Sequence, residues 1–324
     1  MVIDERVGSA ELERLAKDLA PPRQLGEFVL EGLISKTATA LVFNARGDAF
    51  GAGEGVLKLT GRGYAPLLER ELGLLVLCRD AQLRGVVRPV RDELQWLALE
   101  DANQPTVAAI VLPFLSGGDL VQWIGAHATR HGRLGARPAL EIGERVGGVL
   151  RGMLELPRPL VHGDVKPQNV LLPETDAALD ELTLIDLDAS SELEQLLDGA
   201  AAVPRGVIQC LISDVNGFGE LLYVLATGRE PPTEGEPTPA TGNAAFDALV
   251  LNCTMADVDT HAYTSLGDEA LWRDLELARK VEQVRTQRSP LPELLLSRPF
   301  LAVVGIILFC LLVLAVASKM PPGG

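Results

Sequence analysis

Cysteine is scarce in this chain, and the four cysteines (Cys78, Cys210, Cys253 and Cys310) lie far apart. They form no C-x-x-C pair and no Cys/His cluster with the spacing of metal ligands, which argues against a zinc or dithiol site. We therefore expect reduced cysteines that fill the interior. His127 and His131 share helical spacing but have no acidic or cysteine partner nearby, so the sequence predicts an exposed polar connection there rather than a metal site.

The chain also lacks positive charge, with a formal net charge of -15 and a pI of about 4.8. A nucleic-acid binder needs a basic stripe to neutralise phosphates, so nucleic acid is not an expected partner. An acidic surface disfavours broad adhesion to anionic lipid as well. Any contact with a membrane must then come from a local feature.

The N-terminus has no apolar stretch after a basic start, so no signal peptide is predicted. One long apolar run occurs near the other end, from Phe300 to Ala317 (FLAVVGIILFCLLVLAVA), between Pro299 and Pro321. A helix of this run would span about 27 Å, which is close to the hydrocarbon thickness of a bilayer. A buried core helix is the alternative, although few residues follow that could pack around it.

Basic residues surround the apolar run unevenly: only Lys319 follows it, and the preceding ones are Arg279, Lys280, Arg285, Arg288 and Arg298. The positive-inside rule then places the rest of the chain in the cytoplasm. We predict a single-pass, tail-anchored protein of the plasma (inner) membrane. Its transmembrane helix would cover residues 300–318, after a juxtamembrane linker at 289–299 and before a short tail at 319–324.

Apolar periodicity divides the rest of the chain. An amphipathic helix is predicted near Ser9 to Leu19, inside an N-terminal segment of residues 1–24. Strands are expected from Phe28 to about Leu59, a helix from Tyr64 to Cys78, and short strands up to Pro113. After Gly117-Gly118 the pattern is mainly helical.

A cluster of polar residues between positions 161 and 188 has the composition of a phosphoryl-transfer site. Asp164 can orient a hydroxyl and accept its proton, and Lys166 can reach a transferred phosphate. Asn169 and Asp186 offer oxygen ligands to a metal ion, and Asp186 ends a short apolar strand (LTLID).

The run VHGDVKPQN at positions 161–169 resembles the catalytic loop H-R-D-x-K-P-x-N of protein kinases, and Asp186-Leu187-Asp188 resembles the metal-binding D-F-G triplet. The resemblance covers about residues 25–280. It implies an α+β, bilobal protein-kinase-like fold with a small β-rich N-lobe and hinge at 25–115 and a mainly helical C-lobe at 116–288. The Lys166-Pro167 pair is typical of Ser/Thr rather than Tyr kinases. As a whole, the chain resembles the eukaryotic-like Ser/Thr protein kinases of the bacterial type. ATP, Mg²⁺ and unidentified protein substrates follow from this resemblance.

Other motifs of the family occur in the expected order. Val56-Leu57-Lys58 resembles the strand with the ATP-binding lysine, whose ion-pair partner would be Glu71, with Glu69 as the rival. Asp214 to Pro232 resembles the central C-lobe helix, which implies that Asp214 holds the catalytic loop from behind, where His162 is also structural. His261 stands where the family usually has an arginine, so the Arg–Glu pair that braces this lobe is expected to be absent.

The segment Ile110 to Leu120 resembles the hinge between the lobes. Leu112 would be the gatekeeper, and adenine would bind the carbonyl of Pro113 and the backbone N–H and carbonyl of Leu115. Asp119 could accept hydrogen bonds from the ribose, or it could cap the helix that follows.

Several positions depart from the family pattern. Aligning Val42 with the family's valine puts Ser35, Thr37 and Ala40 at the three glycine positions of the phosphate loop, which implies a looser grip or one that uses the hydroxyls of Ser35 and Thr37. Val56 would crowd the adenine slightly.

Two further departures lie at the reaction centre. Asp188 replaces the flexible glycine of D-F-G, where it could add a metal ligand or stiffen the switch. Gly163 replaces the arginine that usually receives an activation-loop phosphate. We therefore expect an activity that does not need such phosphorylation.

Three functions are compatible with these residues. The first is a membrane-anchored Ser/Thr protein kinase that uses Mg-ATP. The second is a pseudokinase scaffold that binds nucleotide or partner proteins with little turnover. The third is a small-molecule phosphotransferase of the aminoglycoside or choline kinase type, whose motif also begins H-G-D.

Overall fold

The computed structural model describes residues 5–51, 53–99, 106–131, 134–172, 181–193, 204–232, 237–255, 257–259 and 261–287. Two compact units divide the chain, residues 1–279 and 280–324. In the second unit the described residues are 280–287, which form the end of a helix. The predicted membrane segment at 300–318 lies outside the described residues. Within the described ranges, every helix is too short or too polar to span a bilayer.

A six-stranded antiparallel sheet forms the small lobe of the first unit. Its strands run in the order β1-β2-β3-β4-β6-β5. They are β1 (Arg23–Leu25), β2 (Phe28–Lys36), β3 (Leu41–Arg46), β4 (Gly55–Thr60), β5 (Gln95–Ala98) and β6 (Thr106–Pro113). The central strands β4 and β6 are apolar and buried along most of their length, as strands covered on both faces are.

The two faces of this sheet have different partners, because successive side chains of a strand point to opposite sides. Phe43, Leu57 and Val111 are adjacent in the register and pack in one cluster with Leu15 and Leu19. Those two leucines belong to the N-terminal helix α1 (Glu5–Asp18) and the turn after it, so α1 covers one face of the sheet. Its start lies four residues before the expected Ser9.

The opposite face of the sheet carries Lys58, which is aligned with Val42 on β3 and with Ile110 on β6. Helix α2 (Ala65–Asp80) packs on this face through a cluster that joins Leu68 and Leu72 to Ile110. The helix therefore places its buried Glu71 near Lys58.

The large lobe is mainly helical. Its helices are α3 (Leu120–His131), α4 (Ala136–Leu154), α5 (Arg205–Thr227), α6 (Ala244–Cys253) and α7 (Glu269–Gln287). Helices α4 and α5 pack closely, because Gly143 leaves room for Leu222, which a Cβ would approach to 2.4 Å. Both helices contribute to one large apolar core.

Short strands connect the helices to the segments that carry His162 and Asp186. Strand β7 (Leu160–Val161) pairs with β10 (Ser191–Glu192), and β8 (Val170–Leu171) pairs with β9 (Thr183–Leu184). These pairs bring the segment around His162 next to the segment around Asp186. The small β-rich lobe and the large helical lobe expected from the sequence are both present.

Cys78, Cys210 and Cys253 are free thiols in the part of the chain that the structure describes. Cys78 and Cys253 lie in the large core. Burial raises the pKa of the Cys78 thiol to about 11.

Candidate active site

Helix α5 supports the loop at residues 161–169, the candidate catalytic loop, from behind through Asp214. The two oxygens of its buried carboxylate accept hydrogen bonds from the backbone N–H groups of His162 (2.8 Å) and Gly163 (2.7 Å). Burial raises the pKa of this carboxyl group, while the two backbone donors stabilise its charged form and oppose the shift. Asp214 thus attaches this loop to the long helix α5.

His162 lies in the interior, where both of its ring nitrogens are used. Nδ1 faces the backbone N–H of Asp164 at 3.3 Å, and Nε2 faces the carbonyl of Ile185 at 3.2 Å. These partners select the neutral tautomer that carries its proton on Nε2. Burial lowers the pKa of His162 below its ordinary value, against the opposing charge of Asp214. The ring therefore joins the catalytic loop to the strand that leads to Asp186.

Asp164, Lys166 and Asn169 form one group at the end of the catalytic loop. Asp164 Oδ2 accepts from Lys166 Nζ at 2.6 Å and from Asn169 Nδ2 at 3.0 Å. The same Asn169 Nδ2 also donates to the Asp164 backbone carbonyl at 2.9 Å. Asn169 is buried, whereas Asp164 and Lys166 are partly open to solvent. The carboxylate is held in place and remains accessible.

Lys58 lies between two carboxylates. Its Nζ is 2.8 Å from Glu71 Oε2 and 2.5 Å from Asp186 Oδ1, and its side chain is only 6% exposed. Burial lowers the pKa of this ammonium group, but the charges of Glu71 and Asp186 outweigh burial and raise the pKa above its ordinary value. Glu71 makes this ion pair, and the rival Glu69 is exposed.

Asp186 has a positive φ of 68°, a conformation that non-glycine residues rarely adopt. Leu187 beside it is fully buried in the large core. Burial, and next the charge of Asp186, raise the pKa of the half-buried Asp188 carboxyl. Asp188 therefore adds a carboxylate next to the Lys58 ion pair.

Gly163 approaches the segment after Asp188 more closely than any other residue type could. Its φ is +83°, and a Cβ at this position would lie 2.6 Å from the carbonyl oxygen of Ala189. An arginine cannot occupy this position in the present conformation. The presence of glycine instead of arginine at position 163 is thus explained by the local backbone conformation.

The loop between β2 and β3 uses its own polar groups. Thr37 Oγ1 accepts from the backbone N–H of Ala40 (3.0 Å) and lies 3.3 Å from the Ala40 carbonyl. The buried Thr60 hydroxyl donates to the carbonyl of Thr39 at 2.6 Å. Ser35 is exposed and Ala40 is buried. Thr37 therefore closes the turn within this loop, whereas the hydroxyl of Ser35 is exposed.

The hinge residues lie at the edge of the same site. Val56 is aligned with Leu112 and with Asn44 across the sheet, and Pro113 ends β6 opposite Gly55. Val42, Val56, Leu112, Pro113 and Leu115 are all half-buried, as the walls of an open cleft would be. Asp119 Oδ1 accepts from the backbone N–H of Gln122 at 2.8 Å, so the capping alternative is the one observed.

Three residues of the site were missed from the sequence. Thr60 anchors the loop at Thr39, and Ser190 Oγ donates to the His162 carbonyl at 2.9 Å. Arg70 donates from Nη2 to the Ser190 carbonyl. The position of Arg70 directly before Glu71 indicated that it lies near the site. Its partner could not be predicted, because a distant backbone carbonyl is not marked by any side-chain pattern.

His261 links three parts of the large lobe. Its Nδ1 lies 2.8 Å from the carbonyl of Tyr263, and its Nε2 lies 3.0 Å from Asn216 Oδ1 and 3.2 Å from the carbonyl of Cys253. Helices α5 and α6 and the following loop therefore meet at this ring.

The oxygen donors of the site fit Mg²⁺. Asn169 uses its Nδ2, and Asp186 uses Oδ1, so Asn169 Oδ1 and Asp186 Oδ2 have no hydrogen-bond partner among the described residues. In the same residues there is no group of three or more His, Cys, Asp or Glu side chains placed to hold a metal ion. Mg²⁺ in phosphotransferases usually binds one or two carboxylates together with phosphate oxygens, and these two free oxygen atoms could serve as its protein ligands.

Replacing Gly163 with alanine is predicted to lower the free energy of unfolding by about 2–4 kcal/mol, because the positive φ and the Ala189 carbonyl both oppose a Cβ. Gly148→Ala is the matched control, since a Cβ there meets nothing within 4 Å. The control should be neutral or stabilised by up to about 1 kcal/mol. Urea unfolding measures both, and equal stability of the two variants would contradict the prediction.

The neutral His162 predicts a dependence of stability on pH. Its pKa is lowered in the folded state, so below about pH 6.5 the unfolded chain binds a proton that the folded chain does not, and acidification favours unfolding. The loss should approach about 1.4 kcal/mol per pH unit until the folded-state pKa is reached. Urea unfolding between about pH 7.5 and 5 should show a smaller decline for His162→Asn. Parallel declines would refute this explanation.

Comparison with known proteins supports the fold alone. No protein-family model matches the sequence, and no curated protein matches it either. Among solved structures, a variant of the PknI kinase domain of Mycobacterium tuberculosis is similar with a TM-score of 0.54 and 15% identity, over 81% of this chain and 98% of that one. The BubR1 kinase domain is similar with a TM-score of 0.58 and 14% identity, over 88% and 96%. The chain has the fold of a protein kinase domain.

Proposed function

We propose that this protein is a membrane-anchored Ser/Thr protein kinase that transfers the γ-phosphoryl group of ATP to protein hydroxyls. One observation carries the proposal: Lys58, Glu71 and Asp186 form a single ion-paired group while Asp164, Lys166 and Asn169 form another, and His162 connects the segments that bear them. All the charged roles that phosphoryl transfer requires are filled.

Each residue has a chemical role in this proposal. Asp164 orients the acceptor hydroxyl and takes its proton as the oxygen attacks, and its bond to Asn169 keeps the carboxylate aimed. Lys166 balances the charge of Asp164 without substrate and turns to the transferred phosphate when substrate binds. Lys58, held by Glu71, binds the phosphates of the nucleotide.

Asn169 and Asp186 would hold Mg²⁺ through oxygen atoms that have no other partner among the described residues. When bound, Mg²⁺ neutralises the phosphate oxygens as charge develops during transfer. Asp186 would then exchange part of its interaction with Lys58 for the metal. The raised pKa of Lys58 keeps this residue cationic for the nucleotide.

A pseudokinase scaffold is the second candidate, and the β2–β3 loop favours it. Thr37 uses its hydroxyl within the turn and Ala40 is buried, so this loop offers fewer groups to the phosphates than a glycine-rich loop does. The extra carboxylate of Asp188 beside Asp186 also repels a polyphosphate unless a cation compensates for it.

Asp164→Asn is predicted to reduce phosphate transfer by about 100- to 10,000-fold, because it removes the group that accepts the proton. Radiolabelled transfer from ATP to generic protein acceptors and to a panel of amino alcohols measures the loss and separates the two substrate classes. Glu69→Gln is the control on an exposed acid, and it should retain full activity.

Nucleotide affinity, measured by a thermal shift with ATP and Mg²⁺, should be nearly unchanged in Asp164→Asn. If the wild-type chain binds ATP but shows no phosphate transfer that depends on Asp164, the kinase hypothesis fails and the pseudokinase scaffold is supported. Transfer to amino alcohols alone would favour a small-molecule phosphotransferase.

The membrane anchor rests on the apolar run at 300–317 and the basic residues before it. The full chain is predicted to stay in the membrane fraction after alkaline carbonate extraction. Ile307→Lys combined with Leu311→Lys should release it, since each charge costs about 3 kcal/mol at the centre of a transmembrane helix. Ile307→Val with Leu311→Ile is the matched control. A doubly charged variant that remained in the membrane would exclude this anchor.

A further inference from the structure

The segment after Asp188 is held in place by hydrogen bonds to other parts of the protein. Between Asp188 and Asp214 the hydroxyl-bearing residues are Ser190, Ser191 and Ser213. Ser190 is fully buried, its Oγ donates to the His162 carbonyl at 2.9 Å, and its N–H donates to the Leu187 carbonyl at 3.1 Å. A phosphoryl group on Ser190 would have to break these contacts, so this hydroxyl serves as a structural donor.

The neighbouring residues extend this attachment. Ser191 and Glu192 form β10 and pair with Val161 and Leu160 of β7, which leads directly into the catalytic loop. On the other side, Gly163 allows the carbonyl of Ala189 to lie against the loop backbone. The segment 187–192 is therefore packed on the catalytic loop along its length.

Arg70 adds a bond from the small lobe. It lies on α2 directly before Glu71, and its Nη2 donates to the backbone carbonyl of Ser190. A hydrogen bond from a guanidinium group to a carbonyl is charge-assisted, and it is stronger than a bond between neutral groups. The same helix turn thus presents Glu71 to Lys58 and Arg70 to Ser190.

These contacts form a continuous path between the lobes of the first unit. Arg70 bonds the Ser190 carbonyl, the Ser190 hydroxyl bonds the His162 carbonyl, and the N–H of His162 bonds Asp214 on α5. Moving α2 away from the site would break the first of these bonds together with the ion pair between Lys58 and Glu71. The position of α2 and the position of segment 187–192 are therefore coupled.

We propose that Arg70 is a positioning residue that latches segment 187–192 to α2, so that the site is assembled without phosphorylation of that segment. The latch does not require catalysis, but its effect on phosphate transfer rests on the proposed kinase function. Gly163 leaves no room for a larger side chain at position 163 that could hold this segment instead.

The test compares Arg70→Ala with Arg70→Lys, which keeps one cationic donor, in the full chain. Arg79→Ala is the matched control, because Arg79 lies on the same helix but bonds Asp80 and Asp92. Hydrogen exchange of the peptide that covers residues 187–193 should become about ten- to a hundredfold faster in Arg70→Ala. It should be largely restored in Arg70→Lys and unchanged in Arg79→Ala.

A double-mutant cycle adds a second readout. Ser190→Ala should accelerate the same exchange, and the combined variant should exchange little faster than either single variant, because both changes release one segment. Unchanged exchange in Arg70→Ala, or fully additive effects in the cycle, would overturn the latch.

Phosphate transfer then tests the consequence of the latch. If the chain is a kinase, Arg70→Ala should lower kcat about tenfold or more with little change in the KM for ATP, and phosphatase treatment of the wild-type chain should leave its activity intact. Loss of activity on phosphatase treatment would overturn phosphate-independent assembly. A chain without transfer activity would refute the kinase function, while the exchange experiment would still decide whether Arg70 holds the segment.

Discussion

The buried ammonium group of Lys58 constrains the whole site. A cation that is only 6% exposed must be met by negative charge, and Glu71 and Asp186 supply it from two different parts of the chain. Removing one partner from such a buried pair typically costs about 3–5 kcal/mol. Helix α2, strand β4 and the segment of Asp186 are therefore held together by one charge.

The second constraint is that the backbone polar groups of the candidate catalytic loop need hydrogen-bond partners. The loop is irregular and partly buried, so its N–H and carbonyl groups need partners within the protein. The Asp214 carboxylate accepts hydrogen bonds from two backbone N–H groups. The His162 ring bonds one backbone N–H and one carbonyl, and the Ser190 hydroxyl donates to a further carbonyl. These contacts hold the loop that carries Asp164 in place.

Sequence patterns were sufficient for the fold and for residues that lie within local motifs. The helical steps from Glu71 to Leu75 and Cys78 identified the acid that faces the interior, and Glu69 is exposed as that phase requires. Asp119 and Thr37 were ambiguous because each side chain had a local backbone partner as well as a possible ligand. The partner of Arg70 could not be predicted, because it is a backbone carbonyl 120 residues away that no side-chain pattern marks.

The close approach of Gly163 to Ala189 also bears on how such a chain can change over generations. A substitution to arginine at 163 would be harmful while the Ala189 carbonyl stays where it is, and moving that carbonyl would first require the loss of the Ser190 contacts. A variant with arginine at position 163 would therefore lose the close contact with Ala189 and the Ser190 contacts together. The residue type at position 163 and the attachment of segment 187–192 therefore constrain each other.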